Sequence, residues 1–235
     1  MSFTQEFNLL LKARYPIIYI TTIEEDRLEY TIRSCIKKNG NRGIYIWDFV
    51  EGYINNPNNN GIAKRNPLQA LEFIEKITPE TPAVFLLKDF NRFLTDVSIS
   101  RKLKNLIRIL KTQPKTIIIV APDVNIPNEF IDTITILEFQ LPQLNEIKKE
   151  LDRLIQSLNQ KIDNNVFESL VNSCQGLSLE RIRRVLSKII ALNKTLDNRS
   201  IELILKEKRQ IHYYQFFGLK TELNDLILFL FHLIV

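Results

Sequence analysis

The sequence predicts an α/β fold, a five-stranded and mostly parallel sheet, followed by a small all-helical unit. Three observations carry this prediction. Short β-branched runs alternate with amphipathic helical segments through the first 141 residues. Two of the runs, "AVFLL" and "IIIV", are unbroken apolar stretches, as strands covered on both faces must be. After Pro142 the strand pattern stops and only helical periodicity remains.

Each element has its own signal. "FNLLLKARYP" reads as an opening helix that ends before Pro16, because the residue ahead of proline disfavours the helical region. "IIYITT" (Ile17 to Thr22) reads as a buried strand. From Glu24, Leu28, Ile32, Cys35 and Ile36 recur at helical spacing up to Asn39-Gly40. "GIYIWDF" is the second strand. "GYINNPNNNGIAKRNP" reads as a polar loop rich in turn formers. Pro67 suits the first position of the helix "LQALEFIEKI". "AVFLLKDF" is the third strand, and Ile99, Leu103, Leu106, Ile107 and Leu110 mark the helix after it. "KTIIIVAPD" is the fourth, "IPNEFIDTI" a short turn or helix, and "TILEFQLP" the fifth strand. Helical crossovers imply parallel pairing, with Val84–Lys88 and Ile117–Val120 as the central strands. Four helical stretches follow, with Gly176 as a C-cap and Ser178 capping the helix that carries Ile182, Val185, Leu186, Ile189 and Ile190. The expected division is 1–141 for the α/β unit, 142–211 for the helical unit and 212–235 for an apolar tail. In that tail Leu219, Leu223, Leu226, Ile227 and Leu230 recur at helical spacing. A helix there would leave Phe229 and Phe231 on other faces, so it is expected to dock weakly on the helical unit, self-associate or adhere to a membrane.

Composition excludes several classes. Of 235 residues, 45% are hydrophobic and 25% charged, which supports an ordinary globular core. Cys35 and Cys174 lie far apart in apolar helical patterns and read as buried thiols of a reducing compartment. Two cysteines and the late His212 and His232 have no zinc-ligand spacing. The first residues, "MSFTQEFNLLLKARYP", lack the apolar core of a secretory leader. The terminal run "LILFLFHLIV" has about half of the roughly 20 residues needed to span a bilayer. A net charge of +5 permits contact with nucleic acid or an acidic partner without demanding it.

The stretch "VFLLKD" runs an apolar strand into Asp89, the form of the magnesium-holding strand of a P-loop ATPase. Such a strand needs a phosphate loop, G-x-x-x-x-G-K-[ST], whose backbone N–H groups wrap phosphates and whose Lys neutralises them. Here the first strand is followed instead by "TTIEEDRLE", with no Gly and no Lys. Glu24, Glu25 and Asp26 stand where phosphates would sit, and they satisfy the helix dipole themselves.

The order of the motifs resembles an AAA+ module. "VFLLKD" is similar to its Walker B strand, "IIIVAPDVNIP" to its sensor strand, and "FQLPQLNEIKKEL" to its passage into the lid. "CQGLSLERIRRVL" is similar to its lid helix. More closely, "ARYPIIYITTIEEDRLE", "LKDFNRFL" and "CQGLSLERIRRVL" resemble an uncharacterised AAA-domain protein family encoded in plastids and cyanobacteria, a divergent AAA ATPase family, over roughly residues 4 to 211. The resemblance implies an AAA+-like sheet lacking the P-loop, with a helical lid. It implies a plastid (chloroplast stroma) location, and a protein partner or homo-oligomer. It implies that ATP and Mg²⁺ belong to a P-loop module downstream in longer members, so that this chain is a truncated, frameshifted or split product. It also implies degenerate counterparts of the family's nucleotide site: Asp89 of the Walker B strand, followed by Phe90 rather than Glu, Asp123 of the sensor loop, and Arg181 and Arg184 of the lid. The resulting expectation is a non-hydrolysing interaction, assembly or regulatory module that needs no cofactor of its own and has no catalytic residues.

An alternative uses the same sheet differently. Ligands of open α/β sheets bind at the carboxyl ends of the strands, where Glu24, Glu25, Asp48, Asp89 and Asp123 fall. Glu24, Asp89 and Asp123 are the candidate metal ligands of a metal-dependent phosphotransfer enzyme. Three basic groups suit a nucleic-acid binder: Arg101, Lys104, Arg108 and Lys111 on one helix face with Lys102 nearby; Arg181, Arg183, Arg184 and Lys188; and Lys206, Lys208 and Arg209.

Overall fold

Ser2 starts the first helix. Its hydroxyl accepts from the Gln5 amide while the Gln5 side chain returns to the Ser2 amide, and this capping box opens α1 (Phe3–Lys12). The computed structural model describes residues 1–40, 42–54, 57–193 and 195–210. The apolar tail expected over 212–235 lies outside the described residues.

After α1 come β1 (Ile17–Thr21), α2 (Glu25–Asn39), β2 (Gly43–Asp48), β3 (Gly52–Ile54), α3 (Pro67–Lys76), β4 (Ala83–Lys88), α4 (Val97–Leu110), β5 (Lys115–Ala121) and β6 (Thr135–Glu138). Caps set the helix starts. Asn66 accepts from the Gln69 amide with Pro67 at the first turn of α3, and Asp96 accepts from the Ser98 and Ile99 amides at α4. The sheet runs β3-β2-β4-β5-β1-β6, parallel except at β3, which pairs antiparallel with β2.

The sheet therefore has six strands where the sequence predicts five. The sixth, β3, lies in the segment read as a polar loop. Three residues are too few to show a period of two. Tertiary contacts hold the strand: Tyr53 is buried and its hydroxyl donates to the Ala70 carbonyl of α3 at 2.9 Å. Asp48 accepts from the Val50 and Glu51 amides, both at 2.8 Å, and turns the chain from β2 into β3.

β4 and β5 are the central pair, as their apolar runs predict. Alternate residues face opposite layers. Tyr19, Trp47, Phe85, Leu87, Ile117 and Ile119 pack with residues of α3 and α4. Ile18, Ile20, Val84, Leu86, Ile118 and Val120 pack with residues of α1 and α2. Covering both faces removes any reason for polar alternation.

The chain divides into two units, the first Met1–Gln140 and the second beginning at Leu141. The second holds α5 (Leu144–Ser157), α6 (Asn164–Cys174), α7 (Leu179–Asn193) and α8 over 198–210. Ile147, Leu151, Leu170, Leu177, Ile182 and Leu186 lie within its separate core. Ser178 accepts from the Arg181 amide at 3.3 Å, the cap its position predicts.

Cys35 and Cys174 are buried free thiols. Burial pushes both up, Cys174 to about 11. Both cysteines should resist Ellman's reagent at pH 8 in the native chain and react at least about 100-fold faster in denaturant. Rapid native reaction of either would contradict this burial. Because the native Cys174 thiol holds its proton more tightly than an unfolded one, its contribution to stability should be intact below about pH 9 and fall as pH rises toward 11.

Candidate functional site

The carboxyl ends of the parallel strands form the edge where an open α/β sheet binds ligands. At its centre the chain leaves β1 through Thr22, Ile23 and Glu24. The Thr22 amide donates to the Ala121 carbonyl at 2.9 Å, and the Thr22 hydroxyl accepts from the Glu24 amide at 3.0 Å. This turns Glu24 inward at the start of α2. Its side chain, 4% exposed, pairs with Arg27 at 2.7 Å. Arg27 is itself 12% exposed. Its guanidinium lies over the Phe139 ring, 4.1 Å from the centroid, and donates to the Gln140 carbonyl. The turn is thus filled by the protein's own ion pair, stacked on an aromatic ring.

Lys88, at the end of β4, lies 3.4 Å from Glu25 and 3.6 Å from Glu29, and Arg33 pairs with Glu29 at 3.0 Å. Two acids of α2, Glu25 and Glu29, are therefore matched by cations on the strand and on the next turn of the helix. Asp89 follows in the left-handed region at φ 53°, its amide donating to the Val120 carbonyl at 2.8 Å. Tyr19 donates to the Asp123 carbonyl at 2.7 Å. Its phenol is pushed up by burial and by the negative charges of Asp123 and Asp89, against a hydrogen bond from the Asn125 amide.

Of the sequence-predicted acids, then, Asp89 and Asp123 share the surroundings of Tyr19, whereas Glu24 is committed to Arg27 and Glu25 to Lys88. Asp48 caps the β2–β3 turn. Among the described residues no three His, Cys, Asp or Glu side chains are arranged to hold a metal ion. In the helical unit Arg184 pairs with Glu180 at 2.5 Å, and Arg181 adds its charge beside Glu207.

Two of the basic groups are neutralised in part. On α4, Lys102 pairs with Glu75 at 2.5 Å and Lys104 with Glu129 at 2.8 Å, and Arg101 donates to Asn105. Lys104 and Ser100 together hold the Glu129 carboxyl below its ordinary value. On α7, Arg183 pairs with Glu150 at 2.5 Å, which holds that carboxyl low, and Lys188 pairs with Glu207 at 2.8 Å. Sequence reasoning placed Glu24 at the site but missed Arg27, Lys88 and Phe139. The i,i+3 spacing of Glu24 and Arg27 was a visible signal for the first of these. Nothing in the sequence brings Phe139, from beyond β6, over that pair.

Among the described residues no helix is long and apolar enough to cross a membrane. Solved structures share the fold at low identity. RuvB from Thermotoga maritima matches with a TM-score of 0.56 at 13% identity, over 87% of this chain and 68% of that one. A replication initiator DnaA bound to AMPPCP and single-stranded DNA gives 0.50 at 14%, over 88% and 63%. The sequence is much closer to uncharacterised AAA domain-containing proteins ycf46. That of Trieres chinensis is 70% identical over 211 residues, 90% of this chain and 42% of the relative. That of Guillardia theta is 54% identical over 230 residues, 96% and 46%. The chain thus spans less than half the length of these relatives. Residues 3–139 match the N-terminal domain of SpoVK-like AAA ATPases, and residues 145–212 match their second domain. With both domains matched in order and plastid-type ycf46 proteins this similar, the chain belongs to the SpoVK-like AAA ATPase family.

Proposed function

We propose that this chain is a non-hydrolysing AAA-type module, with an assembly or regulatory role beside a P-loop module of the kind expected in longer relatives. The observation that carries the reading is the buried Glu24–Arg27 pair in the turn after β1. A triphosphate there would need backbone N–H groups freed by glycine and a Lys to neutralise it. The turn offers a buried carboxylate, and Arg27, the cation against it, is already matched at 2.7 Å. The next carboxylate, Glu25, lies against Lys88, so that cation is not free for a phosphate either. These residues do not fit a bound nucleotide, and no step of a hydrolysis is assigned to them. The family supports an assembly role, with a protein partner or further copies of the chain. The algal ycf46 relatives support a plastid location for it.

ATP titration of the full chain with Mg²⁺, followed calorimetrically, should show no saturation below millimolar concentrations, and phosphate release should equal the buffer blank. Sub-micromolar affinity, or turnover abolished by Asp89→Asn, would overturn the proposal.

A further inference from the structure

The opposite edge of the sheet has a different character. All five parallel strands begin there, and α1 to α4 end there, because each helix runs back to feed a strand. This brings together cations from four separate segments: Lys12, Arg14, Lys37, Lys38, Arg42 and Lys111. All are exposed except the half-buried Arg42. Among the described residues none of these six has a carboxylate within ion-pair distance, whereas Arg27, Arg33, Lys88, Lys102 and Lys104 each have one. The acids near this edge are Glu80 and Asp132.

Helix dipoles account for part of the pattern, since Lys12, Lys37 and Lys38 lie in last turns. They do not account for Arg14 and Arg42, which lie in connecting loops. Arg42 is anchored by donating to the Pro114 carbonyl at 3.0 Å and to the Leu11 carbonyl at 3.4 Å. Burial lowers its pKa, and so does the like charge of Arg14 beside it. Between the loops lies an open concavity of about 440 Å³, lined by Arg14, Pro79, Glu80, Thr112, Gln113 and Pro114. Glu80 shares this concavity with Arg14 but pairs with neither guanidinium, and two guanidinium groups held near each other with no carboxylate in ion-pair distance make a place for an anion.

An aromatic residue, Tyr15, follows Arg14 directly in the chain. Tyr15 is 40% exposed. Its amide donates to the Leu10 carbonyl at 3.1 Å and its carbonyl accepts from the Thr116 hydroxyl at 2.9 Å. The backbone is therefore fixed while the ring remains partly open to solvent. A flat ring next to unpaired cations is how single-stranded nucleic acid is bound, with phosphates on the cations and a base on the ring. An acidic peptide or an anionic lipid surface would use the charge but has no base to stack.

We propose that the amino-terminal edge of the sheet, from Lys12 through Arg42 and Arg14 to Lys111 with Tyr15 beside them, binds single-stranded nucleic acid. The test uses the full chain and a fluorescent oligothymidylate of about 20 nucleotides, read by anisotropy at low salt. Saturable binding is expected. Lys37→Glu/Lys38→Glu/Lys111→Glu should weaken it about tenfold or more and flatten its logarithmic salt dependence by about 2–3. Lys149→Glu/Lys161→Glu in the helical unit, also exposed, should change it by less than about twofold. Tyr15→Ala should weaken it about five- to tenfold while leaving heparin binding unchanged. Thermal melts should nearly overlay, because the replaced lysines are exposed and the hydrogen bonds of Tyr15 are made by its backbone. The glutamine triple variant, with a smaller loss expected, covers any folding defect of the reversal. Absence of saturable binding, or an unaltered affinity in the triple variants, would overturn the proposal. So would a Tyr15→Ala chain with unchanged single-strand affinity. Tighter binding of the matching duplex, of polyglutamate or of phosphatidylserine vesicles would overturn it in favour of that partner.

Discussion

Replacing Arg27 with alanine should cost about 3–5 kcal/mol of stability, because it leaves the Glu24 carboxylate buried without its partner. The pair sits at 2.7 Å with only 12% and 4% of the two side chains exposed, so water cannot replace the lost guanidinium. The stacking of Arg27 on Phe139 is lost as well. Trp47 is the one tryptophan of the chain. It is fully buried in the α/β unit, so its fluorescence in a urea titration reports on the right unit. The companion variant Glu24→Leu/Arg27→Met removes both charges and should lie within about 1 kcal/mol of the parent, since apolar replacement of a buried pair is often near neutral. A single variant as stable as the parent would show that the pair is solvated, and would remove the observation on which the nucleotide argument rests.

The second large effect is expected at Gly52, where β3 begins. Its φ is +73°, and a Cβ there would lie 2.5 Å from the Ile62 carbonyl oxygen and 2.9 Å from the Lys64 amide nitrogen. Both are backbone atoms, and the Ile62 carbonyl is already committed to the Tyr53 amide at 2.9 Å. Gly52→Ala should therefore cost about 3–4 kcal/mol, combining left-handed strain with a contact that no rotamer can relieve. Gly61 separates the two contributions. It has φ +77° with nothing within 4 Å of an added Cβ, so Gly61→Ala should cost only the strain, about 1–2 kcal/mol. Equal losses at the two positions would mean that the β2–β3 hairpin shifts to make room.

Much of the site was legible before the structure. "TTIEEDRLE" after the first strand lacks glycine and lysine, and Glu24 falls at the carboxyl ends of the strands. Its partner was less visible. Arg27 stands three residues away and could be read as a solvated helix charge until Phe139 is seen to cover it. Lys88 belonged to an apolar strand motif, and its carboxylates, Glu25 and Glu29, lie some sixty residues earlier. The pairing of the basic groups was less legible. Runs such as Lys102–Lys104 and Arg183–Arg184 stand out in the sequence, yet the structure gives each of these residues a carboxylate.

The sequence by itself determined the order of the helices and of every strand but β3, the central place of Val84–Lys88 and Ile117–Val120, and the change to helices after Pro142. These follow from hydrophobic period and capping, which act over a few residues. Only the tertiary structure decided that Gly52–Ile54 is a strand, that Glu24 is buried against Arg27, and which cations are left unpaired. Strand pairing and charge neutralisation depend on distances between segments that the sequence keeps far apart. Lys12, Arg42 and Lys111 look unrelated along the chain, and they become neighbours of one edge because every crossover in a parallel sheet returns to the same side.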